Sequence, residues 1–343
     1  MLLESYRPRA CLVTKVTEVR QPRYPVIDAH NHLGEEFGGG WINQPLNELI
    51  DVLDSAGIKM YVDLDGGWGE DILAAHVEKF KASHPERFKI FGGVNWEQWK
   101  TMGEAFPEWA AGRLAVQKTN GAEGVKVWKN YGLRVRDHLG QLVRVDDPRC
   151  DPIWQAAGEL NLPVMIHVAD PVAFFNQLDE TNERWEELNA FPDWYFPSPP
   201  YPLFMEILEG LANVVRRHPN TTFIGAHVGC YAENLTWVGD LLAECPNFRV
   251  DISARIGELG RQPYTARKFF IEHADQILFG SDFGPDIDSY RIAYRFLETD
   301  DEYFNYNIGE IPSQGRWFVY GLHLPDDVLK KVYYKNAEML FSS

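Results

Sequence analysis

Four cysteines in 343 residues (Cys11, Cys150, Cys230 and Cys245) lie far apart, and no CxxC pair exists. That excludes a disulfide framework and reads as reduced thiols in a cytoplasmic protein. Basic residues are scarce too: 33 Lys+Arg stand against 50 Asp+Glu, a formal net charge of −17. A chain this acidic is unsuited to gripping DNA, RNA or an anionic membrane surface through bulk charge. No apolar run approaches the roughly eighteen residues of a bilayer span. The N-terminus lacks the charged, apolar and small-residue succession of a signal peptide. No Gly-rich phosphate turn follows the first apolar run, which ends "AHNHLGEE" and argues against a doubly wound nucleotide-binding sheet. What remains is a small-molecule partner, with a homo-oligomer open.

Hydrophobic residues make up 45% of the chain, with 11 Trp, 15 Tyr and 20 Phe, enough for a deep core and an aromatic-lined cavity. Short apolar runs recur at 26–33, 58–66, 88–95, 124–129, 162–168, 221–229, 248–253 and 277–283. Between them lie stretches with apolar residues at helical intervals that end near Gly, Asn or Pro, and DDVLKKVYYKNAEMLF supplies an eighth helix. Eight strand–helix units over roughly 250 residues predict an α/β fold, a (β/α)8 TIM barrel forming a single domain, with its core over about 25–342. Two long insertions, about 170–202 after strand five and 284–320 after strand eight, are expected as lids over the C-terminal face.

Polar side chains on barrel strands demand a reason, because burying them unpaired costs several kcal/mol by the usual desolvation estimate of about 2–7 kcal/mol per group. "VIDAHNHLGEE" puts His30 and His32 on one face of the first strand. His167 ends the fifth strand, His227 the sixth and Asp282 the eighth, all at the same expected height. Gly225 and Gly280, one inward step below, are expected to leave room. One buried histidine is commonly satisfied by a carbonyl; five polar groups at the same end of the barrel point instead to a shared zinc, manganese or iron ion. His76, His84, His218 and His273 fall on helices and His138 and His323 in loops, and none is assigned chemistry.

With these five residues, and "GSD" closing the eighth strand, the chain resembles the amidohydrolase superfamily. "IDAHNHL" near the start and the missing β-rich flanking domain most resemble its amidohydrolase-related branch, which includes aminocarboxymuconate-semialdehyde and resorcylate decarboxylases beside many hydrolases. The resemblance implies that His30, His32, His167 and Asp282 hold a divalent metal, zinc first, with manganese or iron as alternatives. His227 is then a second-metal ligand or an acid/base and polarising group, and Asp282 also accepts a proton from metal-bound water. Lys126 resembles the position of a carboxylated bridging lysine; the preferred reading is a lysine that pairs with an acid or a substrate anion. Lys129 is expected on the opposite side. Arg255, with Ser253 beside it, is expected at the barrel mouth either clamping a carboxylate or paired with a Glu, and Trp128, Trp194 and Tyr195 are candidate substrate contacts. The leading expectation is a metal-dependent hydrolase of a C–N or C–O bond. A non-oxidative decarboxylase of a small, aromatic acid is the alternative, and a non-catalytic metal- or ligand-binding barrel is the reading from another class.

Overall fold

A computed structural model describes residues 9–341. Strands β1 (Val26–Asn31), β2 (Ile58–Asp63), β3 (Phe88–Ile90) and β4 (Gly92–Gly93) are followed by β5 (Val125–Val127), β6 (Val164–Ile166), β7 (Phe223–Gly225), β8 (Phe248–Asp251) and β9 (Ile277–Leu278). Almost every strand residue is buried, as expected where helices cover one face and a packed interior the other.

All pairings are parallel, in the orders β1-β2-β3 and β4-β5-β6-β7-β8-β9. The two sheets are one ring. At the first join, the Phe91 N–H still donates to Asp63 of β2 (2.9 Å), whereas the next N–H, of Gly92, donates to Gly124 at the entry of β5 (3.0 Å). β3 and β4 are thus one strand that changes partner, and β5 to β9 are the fourth to eighth strands. At the second join, Ala29 donates to the Phe279 carbonyl (2.9 Å) and Asp282 to the His30 carbonyl (3.0 Å), closing the last strand onto the first. The fold is an eight-stranded α/β barrel.

Helices Leu46–Ala56, Glu70–His76, Phe106–Thr119, Asp151–Glu159, Phe204–Arg217, Leu235–Glu244 and Pro263–Glu272 coincide with the stretches of helical spacing. In Phe204–Arg217 the buried face is Ile207, Leu208, Leu211, Val214 and Val215, three and four apart. The eighth position differs from expectation. The segment after β9 is not a bare lid but opens with helix Ile287–Glu298, capped by Asp286 accepting from Ser289 N–H and packed on the barrel through Tyr290, Tyr294 and Leu297. The C-terminal helical segment instead stoppers the other end of the barrel. Asn336 donates to the Ala274 and Ile277 carbonyls at the entry of β9, and Ala337 and Phe341 join Ile27, Ala29, Met60, Phe91, Met165 and Leu278 in the interior cluster. No helix among the described residues is long and apolar enough to cross a membrane.

Candidate metal centre

Of the predicted metal-site residues, only His30 lies within a strand. His32 and His167 each lie one residue past a strand, His227 two past, and Asp282 four past. Around His32 and His227 the cause is local: side chains, not neighbouring strands, take the backbone N–H groups, whereas His167 and Asp282 still donate to the Val127 and His30 carbonyls. Asn31 Oδ1 accepts from His32, Asp65 Oδ2 from Leu33 and Gly34, and Asp251 Oδ1 from His227 and Ser253. His227 is therefore not on a strand. It enters a left-handed turn at φ 57°, ψ 50°, followed by Val228, Gly229 and Cys230 at positive φ. Non-glycine residues adopt that conformation at about 1–2 kcal/mol each, so three here mark a turn held by its surroundings.

His30, within a register shift near the end of β1, and His32, just past the strand, both aim Nε2 at Asp282 Oδ1, at 3.8 and 3.2 Å. Together these donor atoms lie within 4.8 Å of one another. The far side of each ring is anchored: His30 Nδ1 on Asp251 Oδ2 at 2.9 Å, His32 Nδ1 on Asp65 Oδ1 at 2.8 Å. A carboxylate accepting from Nδ1–H fixes the tautomer and leaves the Nε2 lone pair facing the centre. His227 is built otherwise. Its Nδ1 donates to the Ser253 carbonyl at 3.0 Å, and its Nε2 faces Asp282 Oδ2 at 3.7 Å. His167 stands outside the compact group, edge-on to His227 at 4.5 Å between ring centroids. Its Nε2 lies 3.4 Å from Asp170 Oδ1 but makes no well-aligned hydrogen bond and is buried.

Burial disfavours the charge on Asp282, yet the imidazoles of His30, His32 and His227 hold it ionised well below the usual carboxylate range. Burial likewise opposes protonation of His32, but its bonds to Asp282 and Asp65 raise it to about 9. Burial keeps His30 and His227 neutral and pushes His167 down to about 4.

Lys126 points inward, buried, with Nζ 3.3 Å from His30 Nε2 and 4.9 Å from the Trp128 ring centre. Trp128 stacks on Trp68 at 3.9 Å and on His32 at 5.4 Å. Lys129 corrects the expectation: it lines the same cavity, bonded to Asp170 at 2.6 Å. Arg255 also lines that cavity, which measures about 730 Å³, as do Trp194 from 170–202 and Tyr306 and Gln314 from 284–320. Tyr195 does not. Gly225 fails as a spacer beneath the site, since a Cβ there would meet Phe248 at 2.6 Å; at Gly280 a Cβ would meet that of His30 at 2.9 Å, so this glycine does admit the close approach of β1.

Sequence reasoning missed the acids behind the histidines, Asp65, Asp251 and Asp170, together with Asp28. "VDLDGG" and "FRVDIS" carried the available signal, a polar residue at a strand end, the same criterion that found the histidines.

A family model described as Amidohydrolase matches residues 27–342. Among solved structures, the chain is similar to a 2,6-dihydroxybenzoate decarboxylase from Rhizobium, with TM-score 0.57 and 17% identity over 93% of this chain and 99% of that one. It is also similar to a probable 2-pyrone-4,6-dicarboxylic acid hydrolase from Acinetobacter baumannii with citric acid bound (TM-score 0.54, 13% identity, 93% and 99% covered). A putative amidohydrolase from Staphylococcus aureus gives 0.56 and 14% over 94% and 100%. No curated protein sequence matches the chain.

Proposed function

The chain belongs to the amidohydrolase family, a family of enzymes, and from that premise we propose that it is a metal-dependent hydrolase of a C–N or C–O bond in a small amide, ester or lactone. One observation carries the reading: two histidines, each locked by a carboxylate at Nδ1, present Nε2 to the same Asp282 oxygen. The donor set fits a zinc ion, or manganese or iron. The buried Nε2 of His167, 3.4 Å from Asp170 but without a well-aligned hydrogen bond, supports it as a further donor, so His30, His32, His167 and Asp282 would hold the ion. Such an ion supplies Lewis acidity and lowers the pKa of water toward about 7.

The chain's own residues do the rest. His227 is kept neutral by burial, with Arg255 beside it adding to the effect. Its Nδ1–H is committed to Ser253, so Nε2 is the atom that takes a proton and returns it to a leaving group. Asp282, an anion flanked by three imidazoles, orients the nucleophile's proton toward His227. The ring-lined wall (Phe37, Trp68, Trp128, Phe174, Trp194) supports a second reading, non-oxidative decarboxylation of an aromatic acid in the same site.

Metal analysis of the purified protein, with a screen of esters, lactones, amides and aromatic acids, tests both. About one equivalent of transition metal with turnover on the first three classes is the expected result. Turnover of aromatic acids alone selects the second reading, and protein that neither holds nor accepts zinc, manganese or iron refutes both.

A further inference from the structure

Among the described residues, the buried or half-buried cations that line the cavity beside the centre have carboxylate partners, except Lys126 and Arg255. Lys129 is bonded to Asp170. Arg184 is fully buried and donates through Nη1 to Glu187 at 2.7 Å and through Nη2 to Glu258. The charge of Arg255 is felt by Glu233 and by those two glutamates. Arg184 occupies the latter two, and among the described residues no carboxylate oxygen comes within 4.0 Å of the Arg255 guanidinium.

Arg255 is only 5% exposed, and among the described residues its one side-chain hydrogen bond runs from Nη1 to the carbonyl of its neighbour Ala254. Its remaining N–H groups are not sealed in protein, since none is a buried atom lacking a partner; the side chain lines the cavity. Gln314, donating to the same Ala254 carbonyl, backs the loop that carries it. A guanidinium placed this way, charged at any working pH and desolvated on one side, recruits a planar oxyanion through two parallel hydrogen bonds. Arg255 follows two residues after Ser253, whose carbonyl accepts from His227 Nδ1, and this places its loop on the His227 side of the centre. Lys126 stands at His30 instead.

Resting on the site reading above, we infer that Arg255 is a carboxylate-binding residue, and that the substrate carries a carboxylate distinct from the group that reacts. The reacting group must meet the donors around Asp282, while the carboxylate engages Arg255 behind His227. The body between them is flat and apolar, matched to the ring-lined wall.

The test is binding, followed by quenching of tryptophan fluorescence or by calorimetry. The probes are isophthalate and its neutral diamide, with the protein as purified and its metal content recorded. Isophthalate should bind at least about 10-fold more tightly than the diamide, the lower worth of a charge-assisted pair. Arg255→Met should erase that difference by weakening isophthalate about 10- to 100-fold while leaving the diamide within about twofold. Arg255→Lys, which keeps the charge and loses the fork, should restore part of the preference. Equal wild-type affinity for the two probes would overturn the inference without any variant. So would isophthalate affinity unchanged in Arg255→Met, or equal weakening of both probes there with circular dichroism unchanged. Carboxylate preference in protein that neither holds nor accepts zinc, manganese or iron would leave Arg255 standing and refute the metal-dependent reading; metal with no carboxylate preference would do the reverse.

Discussion

Asp28 accepts two hydrogen bonds from Ser281, one from the hydroxyl to Oδ2 at 2.5 Å and one from the backbone N–H to Oδ1 at 3.1 Å. This pairing lashes β1 to the segment that presents Asp282, one residue on. Oδ2 also accepts from Asn31 at 2.8 Å and from Tyr290 at 2.7 Å, and Asn31 Oδ1 in turn accepts from Gly284 N–H beyond Asp282. Asp28→Ala would leave the Ser281 and Tyr290 donors buried without their acceptor, while Asn31 Nδ2 keeps the Ser281 hydroxyl oxygen at 2.5 Å. Unfolding in urea should show a loss of about 2–4 kcal/mol, and metal affinity should fall with it because Asp282 is no longer fixed. Ser281→Ala, which removes one donor and leaves the acceptor otherwise satisfied, should lose about 1 kcal/mol. Equal stability of Asp28→Ala and wild type would contradict the role given to this network.

The paired acids on His32 set a pH dependence for metal binding. His32 is raised to about 9 by Asp282 and Asp65 against the pull of burial. A raised histidine pKa means the folded, metal-free protein carries that proton below about 9. The stabilisation is full below the unfolded value of 6.5 and is lost as pH rises through about 9. A cation must displace the proton, so zinc affinity should rise by up to about tenfold per pH unit between 6.5 and 9. Chelator competition at several pH values measures the slope. Asp65→Asn should flatten it and also lower affinity by about 10- to 100-fold, the effect expected of losing a carboxylate that orients a ligand. A slope that Asp65→Asn leaves intact would assign the proton elsewhere.

The barrel was legible because parallel strands buried on both faces read as short apolar runs, and because seven of the interstrand stretches carry clean helical spacing. The eighth helix was misplaced for a physical reason. Ile287–Glu298 buries Tyr290, Tyr294 and Phe296 among Asp, Ser and Arg, a weaker contrast than "DDVLKKVYYKNAEMLF" offers at the C-terminus. The histidines stood out because few polar residues end strands; the acids behind them did not, because Asp at a strand end is equally at home in a turn or at a helix cap. The left-handed turn at His227 has no sequence mark beyond Gly229, since His227, Val228 and Cys230 seldom adopt positive φ. Lys129 was misassigned because β5 ends at Val127, so strand alternation no longer governs position 129.

His227 differs from His30 and His32 in being backed by a carbonyl rather than a carboxylate. That backing suits a neutral proton carrier, not a strongly basic ligand. His227→Ala should therefore retain its metal and lose activity by about 10²–10⁴, the span of a positioned acid or base. His32→Ala should lose both metal and activity. Elemental analysis beside steady-state rates separates the two, and loss of metal from His227→Ala would make His227 a ligand.

Lys126 brings the last expectation, because its ammonium and a divalent ion compete for one atom. Nζ sits 3.3 Å from His30 Nε2, and no carboxylate oxygen among the described residues lies within 4.0 Å of it. Burial lowers its pKa to about 8, so near neutrality the amine remains largely charged beside the donors. Two unit charges 4 Å apart repel by about 4 kcal/mol at an effective dielectric constant of 20, and a divalent ion doubles the interaction. Even heavily screened, that predicts at least about tenfold tighter metal binding in Lys126→Met, which keeps the length and removes the charge. A carboxylated, bridging Lys126 predicts the opposite: two ions in wild type, falling to one or none in Lys126→Met and to one in His227→Ala. Stoichiometry and affinity measured on the three proteins decide the matter by sign. One ion in each, held most tightly by Lys126→Met, establishes Lys126 as a resident cation; two ions in wild type make it a bridge.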